Sequence, residues 1–499
     1  MLETVHVGEH QLTAIAGVAG ALLAWRLVQY VSQNRKPRRL DGIYVAGTNN
    51  GQRTDKETRE YFIQHCDELM LEGYSKTKGG FFYLPTPSGD RLMLPTKYME
   101  ELKNSADELV DFNGSFLEMF SGKQTTIGIK WHLHPAVVKR DLNASLAQIM
   151  PAVEDEVFHA FKELLPQGND WAPICPADTF TQIISRASNR MLGGKALSRN
   201  AEWTATSIDF TTDTWLASQR LKEFPAVTRS LVKHFIPEMS RVYRHQEVAR
   251  KVICPLVRQR LQNPEKPHLD LLQMLWDAAS GEDKTPEFMA YTGLVVSFAA
   301  IRTSSSVPVH LVYDLCARPE YLEPLREEIG TMLEQENGHY TKAGLARLVK
   351  LDSFMKESQR FNPLSFLTFG RLINRDLTLH DGFVIPGGTM IGIPAYAISQ
   401  DPELFPSPST FDGFRHVGGS AQFVTTNAAN LSWGYGKHAC SGRFFAASEI
   451  KLMVAHFIMT YDFKLSTPGI TRPANIAYEL QNMADPSVQI MVRPRQSMI

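Results

Sequence analysis

Cysteine is scarce in this chain. Five in 499 residues (Cys66, Cys175, Cys254, Cys316 and Cys440) are odd in number, scattered, and form no CxxC pair. That argues against a disulfide framework and a cysteine-rich zinc site, and fits a reducing compartment. A surplus of charge is also missing: 52 basic residues face 53 acidic ones, so nothing suggests a nucleic-acid partner. Past Pro37 there is no Gly/Ser linker, repeat or low-complexity block, and no nucleotide-binding glycine motif. Length alone would allow about three domains. Without linkers, one large domain is expected, and at 43% hydrophobic it can bury a large core.

Long apolar runs are few, and the one membrane candidate is Leu12 to Val31. Leu12 to Trp25 is free of charge, Arg26 interrupts, and Leu27 to Val31 continues. Twenty helical residues just span a bilayer core of about 30 Å, with Arg26 able to snorkel. Basic residues in Asn34 to Arg39 follow the run, whereas Glu3 and Glu9 precede it. The positive-inside rule then leaves the bulk of the chain in the cytosol. A cleaved signal peptide or a helix lying on the membrane are the alternatives. The expected layout is an anchor over 1–33, a basic and polar connector over 34–59, and one domain over 60–499.

Periodicity predicts strand, turn and strand over Phe81 to Leu94, with Pro85 to Asp90 at the turn. From Tyr98 to Lys350 the pattern is mainly helical: Val153 to Leu165, Asp178 to Met191, Val242 to Leu261, Leu269 to Ala279, and a long run from Pro286 to Cys316. A second strand pair is predicted over Leu377 to Ala397, turning at His380 to Gly382. Phe405 to Ala429 is rich in Pro, Gly and Ser but carries four phenylalanines, which suggests an ordered coil packed on the core. The fold class expected is mostly α with a small β-rich part.

The stretch Trp433 to Arg443 joins a glycine-rich loop, one cysteine and the start of a helix. Gly434, Gly436 and Gly442 permit conformations closed to other residues and close approach to something flat or bulky. Cys440 falls just ahead of the helix N-terminus, where peptide dipoles favour a thiolate. A thiolate there is a nucleophile or a soft metal ligand. Glu357 and Arg360, three apart on a helix, can pair; alone they read as a solvated surface pair. Arg415, in the aromatic coil, is equally bland by itself. Their order is not: Glu-x-x-Arg, an Asn-Pro, strands, an arginine in a Pro-rich coil, then Trp-x-x-Gly-x-His-x-Cys-x-Gly.

That series resembles the cytochrome P450 family of haem-thiolate monooxygenases, from about residue 60 to the C-terminus, and most of all its fungal secondary-metabolism members. The resemblance implies the P450 fold and haem b with Cys440 as the iron's thiolate ligand. It places Trp433, Gly436, His438 and Gly442 around the haem and makes Glu357, Arg360 and Arg415 the cluster that braces the cysteine loop. Trp433 stands where the family usually has Phe, His438 where it usually has Arg, and Ser441 where it often has Pro. His438 would hydrogen-bond a propionate, and can lose its proton near neutral pH. Arg371, His134 and Lys139 or Arg140 are the further propionate partners implied.

In the long helix, Ser297 to Ser304 occupies the place of the family's oxygen-side motif. Ala299 and Ala300 are small enough to approach a flat ring, and Thr303 matches the threonine that organises proton delivery. Pro308 cannot donate to the carbonyl of Ser304, so a bend is expected there. Arg302 stands where the motif usually has a carboxylate, and an arginine stays protonated. Either water and Thr303 deliver protons unaided, or Arg302 points outward or pairs with a nearby acid; these two readings are preferred. It can also bind an acidic substrate group, or mark an oxidation that depends less on relayed protons. Phe116, Met119, Phe120, Val295 to Ala299, Leu364 to Leu367 and Met483 are expected to face the substrate.

The resulting expectation is a monooxygenase on the endoplasmic reticulum membrane, single-pass, with its catalytic domain cytosolic. It would use O2 to oxidise a lipophilic metabolite such as a terpenoid. Electrons would come from an NADPH-cytochrome P450 reductase docking near Lys437, Arg443 and Lys451. A haem-thiolate isomerase or dehydratase, and a non-catalytic haem-binding protein, are the alternatives.

Overall fold

The computed structural model describes residues 38–496 apart from 131, 420, 421, 468 and 470. The anchor read over 1–33 lies outside the described residues. In chain order, the helices that build or carry the site are α1 (Asp55–Thr77), α2 (Phe112–Met119), α3 (Leu133–Val137), α4 (Asn143–Leu164), α5 (Pro176–Gly193), α6 (Ala201–Lys222), α7 (Pro237–Gln262), α8 (Leu271–Ala278), α9 (Pro286–Ala317), α10 (Leu322–Gln335), α11 (Val349–Phe361) and α12 (Arg443–Thr460). Thr54 starts α1 with a reciprocal capping box: its hydroxyl takes the Glu57 amide and the Glu57 carboxylate takes its own.

Helix α9 is the axis of the domain. Thr285 caps it, accepting from the Phe288 amide at 3.1 Å, and Pro286 sits at its first position, where no amide partner is needed. It is apolar nearly all round, so it must be surrounded. Helices α5, α6, α7, α8, α11 and α12 pack against it. Among the described residues it is the one helix long and apolar enough to cross a membrane, but most of it is buried within the fold, which marks a core helix. The helix runs uninterrupted through Pro308. Trp203 of α6 is fully buried, and its indole N–H donates to Asn189 of α5 at 2.7 Å. One tie thus satisfies the only polar atom of a large core side chain.

The β part is small. A six-stranded sheet has the order β1 (Tyr44–Val45), β2 (Phe82–Thr86), β3 (Gly89–Met93), β9 (Met390–Ile393), β6 (Thr368–Ile373) and β4 (Val110–Asp111). β2 and β3 form the predicted hairpin. The stretch Leu377 to Ala397 departs from the expected strand pair. Only β7 (Leu377–Thr378) and β8 (Val384–Ile385) pair with each other, while β9 leaves to run parallel to β3 and antiparallel to β6. β6 carries Arg371 but was not expected as a strand. Burial alternates along it, but Arg371 fills a buried slot and Leu372 a less buried one, so the hydropathy pattern does not, and Phe369 takes φ 56°. A second sheet joins β10 (Tyr461–Leu465), β13 (Ile490–Pro494) and β5 (Ala172–Ile174), and β11 (Asn475–Tyr478) pairs with β12 (Gln481–Ala484).

Helix α1 lies across the sheet at Gly73, where a Cβ would stand 2.3 Å from the ring of fully buried Phe82. An alanine gains up to about 1 kcal/mol of helix propensity over glycine. Overpacking a sealed core costs about 1–3 kcal/mol. The clash should win: Gly73→Ala is expected to lower the urea midpoint, and a raised midpoint would show that the ring moves aside freely.

Candidate active site

Glu357 of α11 is fully buried, and its carboxylate is shared by two guanidiniums. Arg360 donates through Nε and Nη2 at 2.9 and 2.8 Å, and Arg415 through Nε at 3.1 and 3.2 Å. The Asp412 amide adds a bond at 3.1 Å. Burial pushes the carboxyl's pKa up, but the Arg360 bonds, the amide and both cations outweigh it, so the net shift is down. The guanidinium protons left over hold the coil. Arg360 donates to the carbonyls of Ser399 and Pro408 at 2.9 and 2.7 Å, and Arg415 to those of Pro406 and Thr410 at 2.6 and 2.8 Å.

The same coil reaches the cysteine loop. Its Phe423 meets Trp433 edge-on with ring centres 5.4 Å apart, and the Trp433 indole donates to the Phe423 carbonyl at 2.9 Å. Asp352 of α11 accepts the Phe423 amide at 2.5 Å and pairs with Lys451 of α12. Coil, α11 and α12 are therefore locked to one carboxylate.

Within the loop, the Cys440 amide donates to the Trp433 carbonyl at 2.8 Å and the Ala439 amide to Gly436 at 3.0 Å. Gly434 and Gly436 have φ of 73° and 72°, the left-handed region that disfavours side chains. At Gly436 a Cβ would also stand 2.3 Å from the Lys103 carbonyl, so glycine is required twice over. Gly442 differs: its φ is −84°, and a Cβ would meet no protein atom closer than 4.0 Å, which leaves room beside the loop.

Cys440 is accessible at its surface although protein surrounds it. Burial raises its thiol pKa, and the amides of Gly442 and Arg443 with the Arg443 charge only partly oppose this. The amides at the helix terminus favour the thiolate, as expected, while desolvation opposes it and is the larger influence.

Around the loop the implied ring contacts are unevenly placed. Arg371 is 4% exposed, and among the described residues no carboxylate lies within ion-pair distance of it. Its guanidinium donates to the Gly370 carbonyl at 2.8 Å and lies over Phe369 and Phe112, 4.1 and 5.1 Å from the ring centres. Burial pulls its pKa down to about 10. His438 stacks on Phe112 at 4.9 Å and sits 2.7 Å from Asp107, which also takes Lys437 at 2.9 Å. Burial is the largest influence on the His438 ring and lowers its pKa.

His134 is buried, with its pKa lowered to about 4 by burial and by His132, so it is a neutral ring near pH 7. Lys139 is exposed and Arg140 pairs with adjacent Asp141 at 2.7 Å. Next along the chain, Asn143 donates to the Ser441 carbonyl at 3.2 Å, which brings the segment beside the cysteine loop.

Across from α12, the core helix α9 bares a strip. Ala299, Arg302 and Thr303 are exposed while most of their neighbours are buried. Thr303 donates to the Ala299 carbonyl at 2.7 Å. Arg302 donates to the Thr212 hydroxyl of α6 at 3.0 Å. Among the described residues no acid pairs with it, and it is exposed, so of that reading the outward placement fits and the acid pair does not. Phe298 meets Phe116 and Phe120 edge-on at 6.1 and 5.0 Å and faces Phe210 at 6.3 Å, an aromatic wall on this side. Met483 is partly exposed on β12, whereas Val295, Phe366 and Leu367 are buried.

The docking trio expected for a reductase is not a surface patch. Lys451 is 7% exposed and bound to Asp352, Arg443 donates to the Cys440 carbonyl at 2.8 Å, and Lys437 is paired. Asp107, Phe112 and Asp352 were missed from the sequence. They belong to no motif, and only their cross-chain contacts give them a role.

Comparison with known proteins is consistent with this geometry. The family model described as Cytochrome P450 matches residues 99–479. The Cytochrome P450 monooxygenase AN1598 of Emericella nidulans is 37% identical over 452 residues, covering 87% of this chain and 84% of the relative. The Cytochrome P450 monooxygenase olcJ of Penicillium canescens is 36% identical, covering 87% and 85%. Ent-kaurene oxidase P450-4 of Gibberella fujikuroi is 32% identical, covering 87% and 89%.

Glu357→Gln should leave two guanidiniums short of their counter-charge, at a cost of about 3–5 kcal/mol. A denaturant titration should show that loss together with a fall in haem per protein; unchanged haem content would mean the coil holds the loop without it. Glu449 of α12 titrates on the other side. It is fully buried, takes one bond from Ser188 at 2.8 Å, and burial raises its pKa to about 8. Unfolded, it ionises near about 4.3. Between those values the unfolded state releases a proton that the fold retains, so stability falls as pH rises. Glu449→Gln is expected to flatten that fall between about pH 5 and 8; an unchanged slope would place its origin elsewhere.

Proposed function

This chain belongs to the cytochrome P450 family of haem-thiolate monooxygenases, and from that premise we propose that it oxidises a lipophilic secondary metabolite with Cys440 holding the haem iron. The observation that carries the assignment is an accessible thiol on a loop pinned from several sides, near a buried guanidinium without an acid. The haem's propionates are carboxylates, and Arg371 is a buried cation that lacks one among the described residues. The chain of contacts from Arg371 through Phe112 to His438 ends two residues from Cys440. The room left at Gly442 suits a flat ring.

When bound, the haem supplies the activation of dioxygen by two electrons delivered one at a time, with insertion of one oxygen atom into the substrate. The chain's residues do the rest. The amides of Gly442 and Arg443 face the Cys440 sulfur and favour its anionic form. Trp433 packs behind it, fixed by the Phe423 carbonyl. His438 reaches a propionate only by sharing or releasing Asp107. Thr303 keeps its own proton on the Ala299 carbonyl, so its lone pairs accept from a water and order it. Arg302 takes no proton in this relay, because it stays charged.

Phe116, Phe120, Phe210 and Phe298 favour an apolar substrate body, and the relative named ent-kaurene oxidase supports a terpenoid. Membrane attachment is supported by Val227, Leu231 and Phe235 between α6 and α7, the last of them 78% exposed. With the apolar run Leu12 to Val31, these residues orient the domain on the cytosolic face of the endoplasmic reticulum. An NADPH-dependent flavin reductase fits the missing dinucleotide motif, and it docks on the cysteine-loop side, where Lys139 and Arg140 are exposed.

The decisive measurement is the reduced, carbon monoxide-bound spectrum. Wild type should show the thiolate-ligated Soret band and Cys440→Ala should lose it; a mutant that keeps the band would remove Cys440 from the role. Reductase-dependent NADPH consumption with a terpenoid panel, followed by product analysis, then identifies the substrate class.

A further inference from the structure

The strip on α9 holds a cation that the oxidation chemistry does not use. Arg302 lies between Ala299 and Thr303 and shares their exposure. Its one hydrogen bond uses a single guanidinium N–H of five, on Thr212 Oγ1 at 3.0 Å. The acids of the facing helix leave it alone. Asp213, next to Thr212, is taken by Arg241 at 2.7 Å and His245 at 2.9 Å, and Asp209 lies beyond ion-pair distance. Among the described residues, Arg302 has no counter-charge.

Thr212 is the partner on the facing helix. Helical threonines can give their proton to the carbonyl four residues back. Thr181, Thr204, Thr292 and Thr303 do so here, at 2.6 to 3.0 Å, whereas Thr211 and Thr214, on the same helix as Thr212, do not. Thr212 makes no such bond: its oxygen accepts from Arg302, and its own O–H remains to be given. Two side chains from two helices thus have donors to give, Arg302 four residues on from Phe298 and Thr212 two residues on from Phe210, whose rings meet 6.3 Å apart. An acceptor that is flat, anionic and two-oxygened matches a guanidinium fork with one hydroxyl beside it.

We propose that Arg302 and Thr212 form an anion subsite of the substrate pocket, which takes the carboxylate of a lipophilic carboxylic acid. The assignment rests on the monooxygenase reading and narrows its substrate class. Arg302 is a specificity residue in this scheme and Thr212 its positioning partner. An acid-bearing substrate also places the enzyme in a sequence: an earlier reaction, either a carboxyl-forming oxidation or an ester hydrolysis, must supply the acid.

The test uses the haem-loaded full chain and the substrate-induced shift of its Soret band. The probes are straight-chain acids of twelve to sixteen carbons and tricyclic diterpene acids, each with its methyl ester and its primary alcohol. Wild type should bind at least one acid about tenfold or more tighter than its ester. Arg302→Gln should lose that preference, Arg302→Lys should recover part of it, and Thr212→Val should weaken it severalfold. All three should keep the carbon monoxide band, which separates a lost subsite from a lost fold. If a variant loses that band, the acid-to-ester ratio in wild type alone decides. No acid preference in wild type, or one that survives Arg302→Gln, overturns the proposal. Esters and alcohols binding without acids would overturn it while leaving the lipophile reading intact; silence from every probe would count against both.

Discussion

A single buried carboxylate organises the proximal half of this molecule. Glu357 would be costly alone in the core. Two arginines neutralise it, and each has donors to spare. Most of those donors go to carbonyls of a coil that has little secondary structure of its own to pair them. The coil is thereby given one shape, although its Pro-rich sequence could take many. Phe423 and Asp352 pass that shape on to Trp433 and α12, so the order of the cysteine loop is borrowed from an ion cluster on another helix.

The opposite half is organised by an apolar rod. Helix α9 is held by packing on nearly every side, and its accessible strip is where the encircling helices do not close over it. Small Ala299, polar Thr303 and charged Arg302 occupy that gap. The same helix is thus core along most of its length and accessible over one short strip. Proximal and distal halves meet where α9 packs on α11 and α12.

Much of this was legible in the sequence because the residues concerned follow strong local rules. The extent of α9 was readable from a long, mainly apolar run that begins at Pro286. The ordered coil was readable from its phenylalanines, and the cysteine loop from glycines whose conformation the structure bears out at 434 and 436. What escaped were effects of assembly. β9 looks like a hairpin arm, yet its partners arrive from residues 91–93 and 368–373. Lys451 looks like a surface lysine, yet Asp352 draws it inside. A helix terminus suggests a thiolate, yet burial is the larger influence. Each is a long-range or solvent-exclusion effect, and periodicity carries no trace of either.

The contacts of the cysteine loop also carry a statement about time. Lys437 donates its amide to the Lys103 carbonyl, and His438 reaches Asp107, 331 residues earlier. Closing so wide a separation costs about 1.5 kcal/mol more loop entropy than closing 58 residues. The ion cluster around Glu357 spans only 58 residues to Arg415 and can assemble sooner. During synthesis the early partners must wait, exposed, for a loop that leaves the ribosome near the end. A chain stopped before residue 433 would lack the cysteine loop and also α12, which packs on α9, so neither the site nor the core beneath it would be complete.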